Sequence, residues 1–131
     1  MEIMVIDSEP TVRTVVTTIL ERAGYQVKNT GDFAEALELL RQRKPDLVLT
    51  NVFLRGITGH DAMHRLKQEF PDLNVLMVSG LPDESVIKSW ASEPNFDIFP
   101  KPFTSEALLA KVTGILGSKP ANPSGASKPT G

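Results

Sequence analysis

Short apolar runs alternate with longer stretches of helical periodicity along the chain, and this alternation is the feature that most constrains the fold. The run Leu47–Leu49 contains no polar residue, which is typical of a strand buried on both faces of a parallel sheet. Each run is followed by apolar residues at the three- and four-residue spacing of an amphipathic helix. The pattern predicts alternating strands and helices, a parallel sheet with helices on both faces, and right-handed crossovers. The other predicted strands are Ile3–Ile6, Tyr25–Asn29 at an edge, Val75–Val78 and Phe96–Phe99.

Five helices are predicted between and after these strands. Pro10 suits the first turn of the first helix, where Asp7, Ser8 or Glu9 could cap it or complement its dipole. Gly24 suits the left-handed residue that ends this helix. The predicted apolar stripes are Val12, Val15, Val16, Ile19 and Leu20; Phe33, Ala36, Leu37 and Leu40; Met63, Leu66 and Phe70; Val86, Ile87, Trp90 and Ala91; and Leu108, Leu109, Val112, Ile115 and Leu116.

Length and composition indicate one domain over residues 1–116, followed by a flexible Gly/Ser/Pro-rich tail or linker over 117–131. The net charge of −2 does not suggest a nucleic-acid partner, and no apolar run is long enough for a membrane span. The absence of cysteine excludes disulfides and cysteine metal sites. The N-terminus lacks a signal-peptide pattern, so we expect a cytoplasmic protein.

Asn51 ends the central strand, and the carboxyl ends of strands are where open α/β sheets place ligands and chemistry. Polar residues also follow the other predicted strands. Asp7, Ser8 and Glu9 follow the first strand, Ser79 follows the fourth, and Lys101 follows the fifth. Because the strands are predicted to be parallel, we expect these residues to meet at one edge of the sheet.

Three short motifs stand at these strand ends: Val5-Ile6-Asp7-Ser8-Glu9-Pro10, then Pro45-Asp46-Leu47-Val48-Leu49 with Gly56 and Gly59 after it, and Lys101-Pro102-Phe103. In this order and spacing, over about residues 2–116, they resemble the receiver domain of bacterial two-component response regulators. The resemblance implies a doubly wound, flavodoxin-like α/β fold with a five-stranded parallel sheet in the order 2-1-3-4-5. It also implies a signalling role rather than an enzymatic one, with a histidine kinase or an output protein or domain as partner.

In that family the central strand ends in an aspartate that accepts phosphate, an acidic pair holds Mg²⁺, and a hydroxyl and a lysine contact the phosphoryl group. The resemblance assigns these positions to Asn51 as the phosphoacceptor equivalent, Asp7 and Ser8 as the acidic pair with Glu9 beside them, Ser79 as the hydroxyl, and Lys101 as the cation. Ile98 stands where the family usually has an aromatic switch residue, so any signalling surface there is expected to work differently.

The substitution at position 51 changes the expected chemistry. A carboxamide is uncharged and its nitrogen lone pair is delocalised, so Asn51 cannot form the family's acyl phosphate. With Ser8 also neutral, Asp7 is a weak metal candidate, and we expect Mg²⁺ binding to be weak at best and no other cofactor. Asp7 and Lys101 could then pair directly. We therefore expect an atypical receiver that is not phosphorylated at Asn51 and acts through protein contacts.

Other interpretations stay open at this point. Ser8 could simply cap the first helix, and Asn51 could be a hydrogen-bonding loop residue. A flavodoxin-like cofactor domain has the same strand order, although the acidic turn after the first strand would repel phosphate. A displaced carboxylate, Asp7 or Glu9, could accept phosphate instead. His60 and His64 have the spacing of zinc ligands on a helix, but no third ligand is apparent.

Overall fold

The structure is a computed structural model that describes residues 1–51, 53–54, 57–79, 95–100 and 103–116. The strands are β1 (Glu2–Ile6), β2 (Gln26–Thr30), β3 (Leu47–Asn51), β4 (Phe53–Leu54), β5 (Ile57–Thr58), β6 (Val75–Ser79) and β7 (Phe96–Pro100). The helices are α1 (Pro10–Arg22), α2 (Phe33–Gln42), α3 (Gly59–Glu69) and α4 (Ser105–Leu116). The predicted helix around Trp90 and the predicted tail lie outside the described residues. None of the described helices is long and apolar enough to cross a membrane.

The main sheet has five parallel strands in the order β2-β1-β3-β6-β7. Because β6 and β7 are the fourth and fifth predicted strands, this is the predicted order 2-1-3-4-5. β1 lies between β2 and β3, so that Met4 pairs with Lys28 on one side and with Val48 on the other. The topology brings the carboxyl ends of β1 and β3 next to each other. This pairing positions the candidate site described below.

Side-chain alternation along the strands divides the core between the two faces of the sheet. Met4 and Ile6 of β1 pack with α2 and α3, whereas Ile3 and Val5 pack with α1 and α4. We call these the α2–α3 cluster and the α1–α4 cluster. The α2–α3 cluster also contains Phe33, Ala36, Leu37, Leu40, Val48, Ala62, Met63, Leu66, Leu73, Val75 and Met77, and the α1–α4 cluster also contains Val16, Leu20, Tyr25, Leu47, Leu49, Leu76, Val78, Leu108 and Val112.

Local interactions account for three helix ends, of which the one at Gly24 was predicted from the sequence. The carboxylate of Asp32 accepts the N–H of Ala34 at 2.8 Å and caps α2. The hydroxyl of Thr104 accepts the N–H of Ala107 at 3.0 Å and caps α4. Gly24 follows α1 with φ 102°, in the left-handed region that an L side chain rarely adopts.

Two features differ from the sequence-based expectations. Val15 was predicted to lie on the buried stripe of α1, but 50% of its surface is exposed. The reason is geometric, since adjacent helical residues lie about 100° apart and Val16 points directly into the core. The sequence analysis predicts no strand between Asn51 and the third helix, whereas β4 and β5 form a short antiparallel pair in which Leu54 lies opposite Ile57.

A charged contact joins α2 to α3 at the surface. The guanidinium of Arg41 donates to both carboxylate oxygens of Glu69, with Nη2 and Oε1 3.0 Å apart, and also to Glu38. These hydrogen bonds raise the pKa of Arg41 and hold the pKa of Glu69 below its usual value. Because the groups are exposed, the pair contributes little to stability.

Replacing Gly114 by alanine is expected to raise the free energy of unfolding by about 0.5 kcal/mol, because glycine is a poor helix former. Gly114 is exposed in the last turn of α4, and a Cβ built there meets no atom within 4 Å. Urea denaturation followed by circular dichroism measures the change. The opposite substitution at exposed Ala110 of the same helix is the control and should destabilise. A lower denaturation midpoint for the Gly114→Ala variant would contradict the expectation.

Candidate functional site

Asp7 and Asn51 meet because of the pairing of β1 with β3. Ile6 pairs with Thr50, so the residue that follows each lies at the same end of the sheet. The main-chain N–H of Asp7 extends the pairing of β1 with β2 by donating to the carbonyl of Thr30 at 3.1 Å. Only 5% of the surface of Asp7 is exposed, and Asn51 is half-buried.

The carboxylate of Asp7 accepts hydrogen bonds from two sides. The amide Nδ2 of Asn51 lies 3.3 Å from both Oδ1 and Oδ2. The main-chain N–H of Glu9 donates to Oδ1 at 2.9 Å. Asn51 is thus a hydrogen-bond donor at this site. Its amide faces the carboxylate of Asp7, whereas a carboxylate at position 51 would be repelled by it.

Asp7 does not cap α1, and neither does Ser8. Glu9 occupies the N-cap position, no side chain accepts a capping hydrogen bond there, and Pro10 fills the first helical position as predicted. The interpretation of Ser8 as the cap is therefore wrong, because the helix starts one residue too late for it. The side chain of Glu9 is exposed and makes no hydrogen bond or ion pair to the described residues.

Arg13, which the sequence interpretation did not single out, reaches back from α1 to the site. Its Nη1 donates to the main-chain carbonyl of Asp7 at 2.7 Å. The guanidinium passes over Gly31, where a Cβ would come within 2.4 Å of Nη1. A hydrogen bond from a side chain to a main-chain carbonyl leaves no periodicity or motif in the sequence. The only sequence signal for this close approach was the glycine at position 31.

An open depression of about 470 Å³ lies beside Asp7, between the first turns of α1 and α2. At its edge the buried hydroxyl of Thr30 donates to the carboxylate of Glu35 and accepts the N–H of Asp32 at 3.1 Å. The depression is lined by Ser8, Pro10, Arg13, Thr30, Gly31, Asp32 and Glu35.

The remaining predicted site residues are described in part. The backbone of Ser79 ends β6, but its side chain lies outside the described part of the chain, as does all of Lys101. Pairing of Asp7 with Lys101 therefore stays a hypothesis. Ile98 is half-buried in β7 and packs against the α2–α3 cluster.

The donors that the structure describes around Asp7 do not fit Mg²⁺. Mg²⁺ prefers oxygen ligands in near-octahedral geometry, but the two Asp7 oxygens face N–H donors and Asn51 presents nitrogen. Across the described ranges, no group of three acidic, histidine or cysteine residues could hold a metal ion. Of the candidate zinc ligands, His64 is exposed, and the side chain of His60 lies outside what the structure describes.

Comparison with known proteins identifies the family. The family described as "Response regulator receiver domain" matches residues 3–113. Protein PilH of Pseudomonas aeruginosa is 30% identical over 117 residues, which cover 87% of this chain and 96% of PilH. The DNA-binding transcriptional regulator NtrC of Rhizobium meliloti is 32% identical over 121 residues, which cover 92% of this chain and 24% of NtrC.

Solved structures agree with this match. The receiver domain of NtrX from Brucella abortus superposes with a TM-score of 0.80 at 28% identity, covering 88% of this chain and 98% of that one. The chain spans about half the length or less of several curated relatives that it matches, 49% in one case and 12% in another. The similarity to these longer proteins therefore concerns only a part of their length.

Proposed function

This chain belongs to the response regulator receiver domain family of two-component signalling, and we propose that it is an atypical member that works without phosphorylation at Asn51. The observation that carries the proposal is the amide of Asn51, which stands at the end of the central strand and donates to the carboxylate of Asp7. On the assignment that the resemblance implies, a hydrogen-bond donor stands where the family presents its nucleophile.

The chemistry of the amide supports this proposal. An acyl phosphate forms when an anionic carboxylate oxygen attacks phosphorus, and a carboxamide has no such oxygen. The neighbouring carboxylate is a poor substitute, since Asp7 is buried and accepts hydrogen bonds from Asn51 and Glu9. Mg²⁺, which would offset the charge of an incoming phosphoryl group, does not fit the described donors.

We propose that the output is protein contact and not catalysis. The partner would be a histidine kinase, or an output protein or domain, as the family membership suggests. A direct nucleic-acid contact is not proposed, because the net charge is −2 and no basic surface is evident from the composition. A flavin-type cofactor is not proposed either, because Asp7 and Glu9 would repel its phosphate at the turn after β1.

Intact-mass spectrometry after incubation with Mg²⁺ and acetyl phosphate tests the proposal. The parent protein is expected to gain no phosphoryl group. An Asn51→Asp variant regains the family's nucleophile and is expected to be labelled. Asn29→Asp is the matched control, since it makes the same chemical change at an exposed position of β2 and should stay unlabelled.

Each other outcome identifies a different error. Labelling of the parent would overturn the proposal, and peptide mapping would then show whether Asp7 or Glu9 is a displaced acceptor. If neither the parent nor the Asn51→Asp variant is labelled, the loss of phosphorylation extends beyond position 51 to Ser8 and the metal. Labelling of the Asn29→Asp control would show that the donor modifies carboxylates unspecifically.

A further inference from the structure

We infer that Arg13 is a positioning residue that holds the corner between β1 and α1 in place without a metal ion. Its guanidinium can reach this corner because Gly31 has no side chain. This corner consists of residues 7–10. The inference deepens the proposed function, because it rests on the same site and concerns how that site is kept in one conformation. It concerns geometry alone, so its test does not depend on phosphorylation.

The side chain of Arg13 adds one contact to the hydrogen bonds that the helix itself makes at the corner. The main-chain N–H of residue 13 donates to the carbonyl of Glu9 at 2.9 Å as the first hydrogen bond of α1, and the guanidinium of Arg13 donates to the carbonyl of Asp7 at 2.7 Å. Hydrogen bonds from a charged donor are stronger than those between neutral groups. The two contacts fix the carbonyls on either side of Ser8, and the Glu9 N–H to Asp7 carboxylate bond closes the corner from inside.

Gly31 is what allows the guanidinium to reach this place. A Cβ at position 31 would lie 2.4 Å from Nη1 of Arg13 and 3.3 Å from the carbonyl oxygen of Asp7. The first distance is too short for any side chain, so alanine would displace the guanidinium. Glycine is not required by the backbone, because among the described residues only Gly24 is a glycine with positive φ.

The open depression beside Gly31 gives a displaced guanidinium somewhere to go. It is lined by Arg13 and Gly31 themselves and has a volume of about 470 Å³. An alanine at position 31 would therefore move a flexible side chain into open space, while the carbonyl oxygen of Asp7, 3.3 Å from the Cβ, would have to shift by a few tenths of an ångström. Gly31→Ala and Arg13→Met should thus remove the same hydrogen bond by two independent routes.

The consequence concerns recognition. Glu9 and Pro10 are exposed and Ser8 is half-buried, so the corner is accessible to a partner protein. The contact between Arg13 and the Asp7 carbonyl lies within the chain, so on this inference the corner keeps its shape without a divalent cation.

Amide hydrogen exchange measured by NMR tests this inference in the full chain. The N–H groups of Asp7 and Glu9 report on the corner, and that of Tyr25, bonded to Leu20 at the other end of α1, reports on the helix. Arg13→Met and Gly31→Ala should each speed exchange at Asp7 and Glu9 about tenfold, the effect of losing one hydrogen bond to a charged group. Exchange at Tyr25 should not change. Arg22→Met, which removes an exposed arginine from the same helix, is the control.

The double variant gives the decisive comparison. If alanine at position 31 acts by displacing Arg13, the double variant exchanges no faster than either single variant. Additive effects, or unchanged exchange in Arg13→Met, would overturn the inference. Slower exchange at Asp7 and Glu9 of the parent protein after addition of Mg²⁺ to about 10 mM would also overturn the inference, because it would show that a bound ion stabilises the corner. Phosphorylation of the parent, by contrast, would overturn the proposed function and leave this result standing.

Discussion

Replacing Leu76 by alanine is expected to lower the free energy of unfolding by about 2–5 kcal/mol, the range for removing a fully buried leucine. Leu76 lies in β6 between β3 and β7, and none of its surface is exposed. It packs in the α1–α4 cluster, where strand main chains on both sides limit collapse around a cavity. Urea denaturation monitored by circular dichroism measures the loss.

Val15→Ala is the matched control for this experiment. It also shortens an aliphatic side chain, but half of the Val15 surface is exposed, so the change is expected to stay within about 0.5 kcal/mol. A loss below about 1 kcal/mol for Leu76→Ala would mean that β6 is less tightly packed than its burial indicates.

Replacing Lys67 by methionine is expected to lower the free energy of unfolding by about 1–3 kcal/mol, because a buried carbonyl loses its donor. Only 8% of the Lys67 surface is exposed. Its ammonium donates to the carbonyl of Leu73 at 2.8 Å and to that of Asn95 at 3.4 Å. Lys67 thus ties α3 to the turn before β6 and to the residue that precedes β7. Methionine is also unbranched and only one atom shorter, but it cannot donate.

The control is Lys28→Met, at an exposed lysine of β2, which is expected to change stability by no more than about 0.5 kcal/mol. The same denaturation assay applies. If Lys67→Met proved as stable as the parent protein, the penalty for burying the ammonium would equal the gain from its hydrogen bonds.

The sheet could be predicted because its signals are local and strong. A run such as Leu47–Leu49, apolar at every position, is buried on both faces, and all three residues are buried in β3. The meeting of Asp7 with Asn51 also followed from the sequence, since parallel strands bring their carboxyl ends together. The functional roles of both residues stay predictions until the phosphodonor experiment is done.

Other features depend on contacts that the sequence does not display. The contact between Arg13 and Asp7 involves a main-chain oxygen and the missing side chain of Gly31, so no pairing of residue types announces it. The exposure of Val15 depends on how α1 is rotated against the sheet, which a stripe of five apolar residues leaves undetermined. The pairing of β4 with β5 is too short for an alternating pattern to be recognised.

The division of the core by the sheet has a consequence for how such a chain can diverge. Neighbouring residues of β1, such as Met4 and Val5, belong to different clusters separated by the sheet backbone. Substitutions that do not touch each other tend to be energetically additive. The helices on one face of the sheet can therefore change together with their cluster without compensating changes in the cluster on the opposite face. Related proteins could in this way keep a binding partner on one face and acquire a new partner on the opposite face.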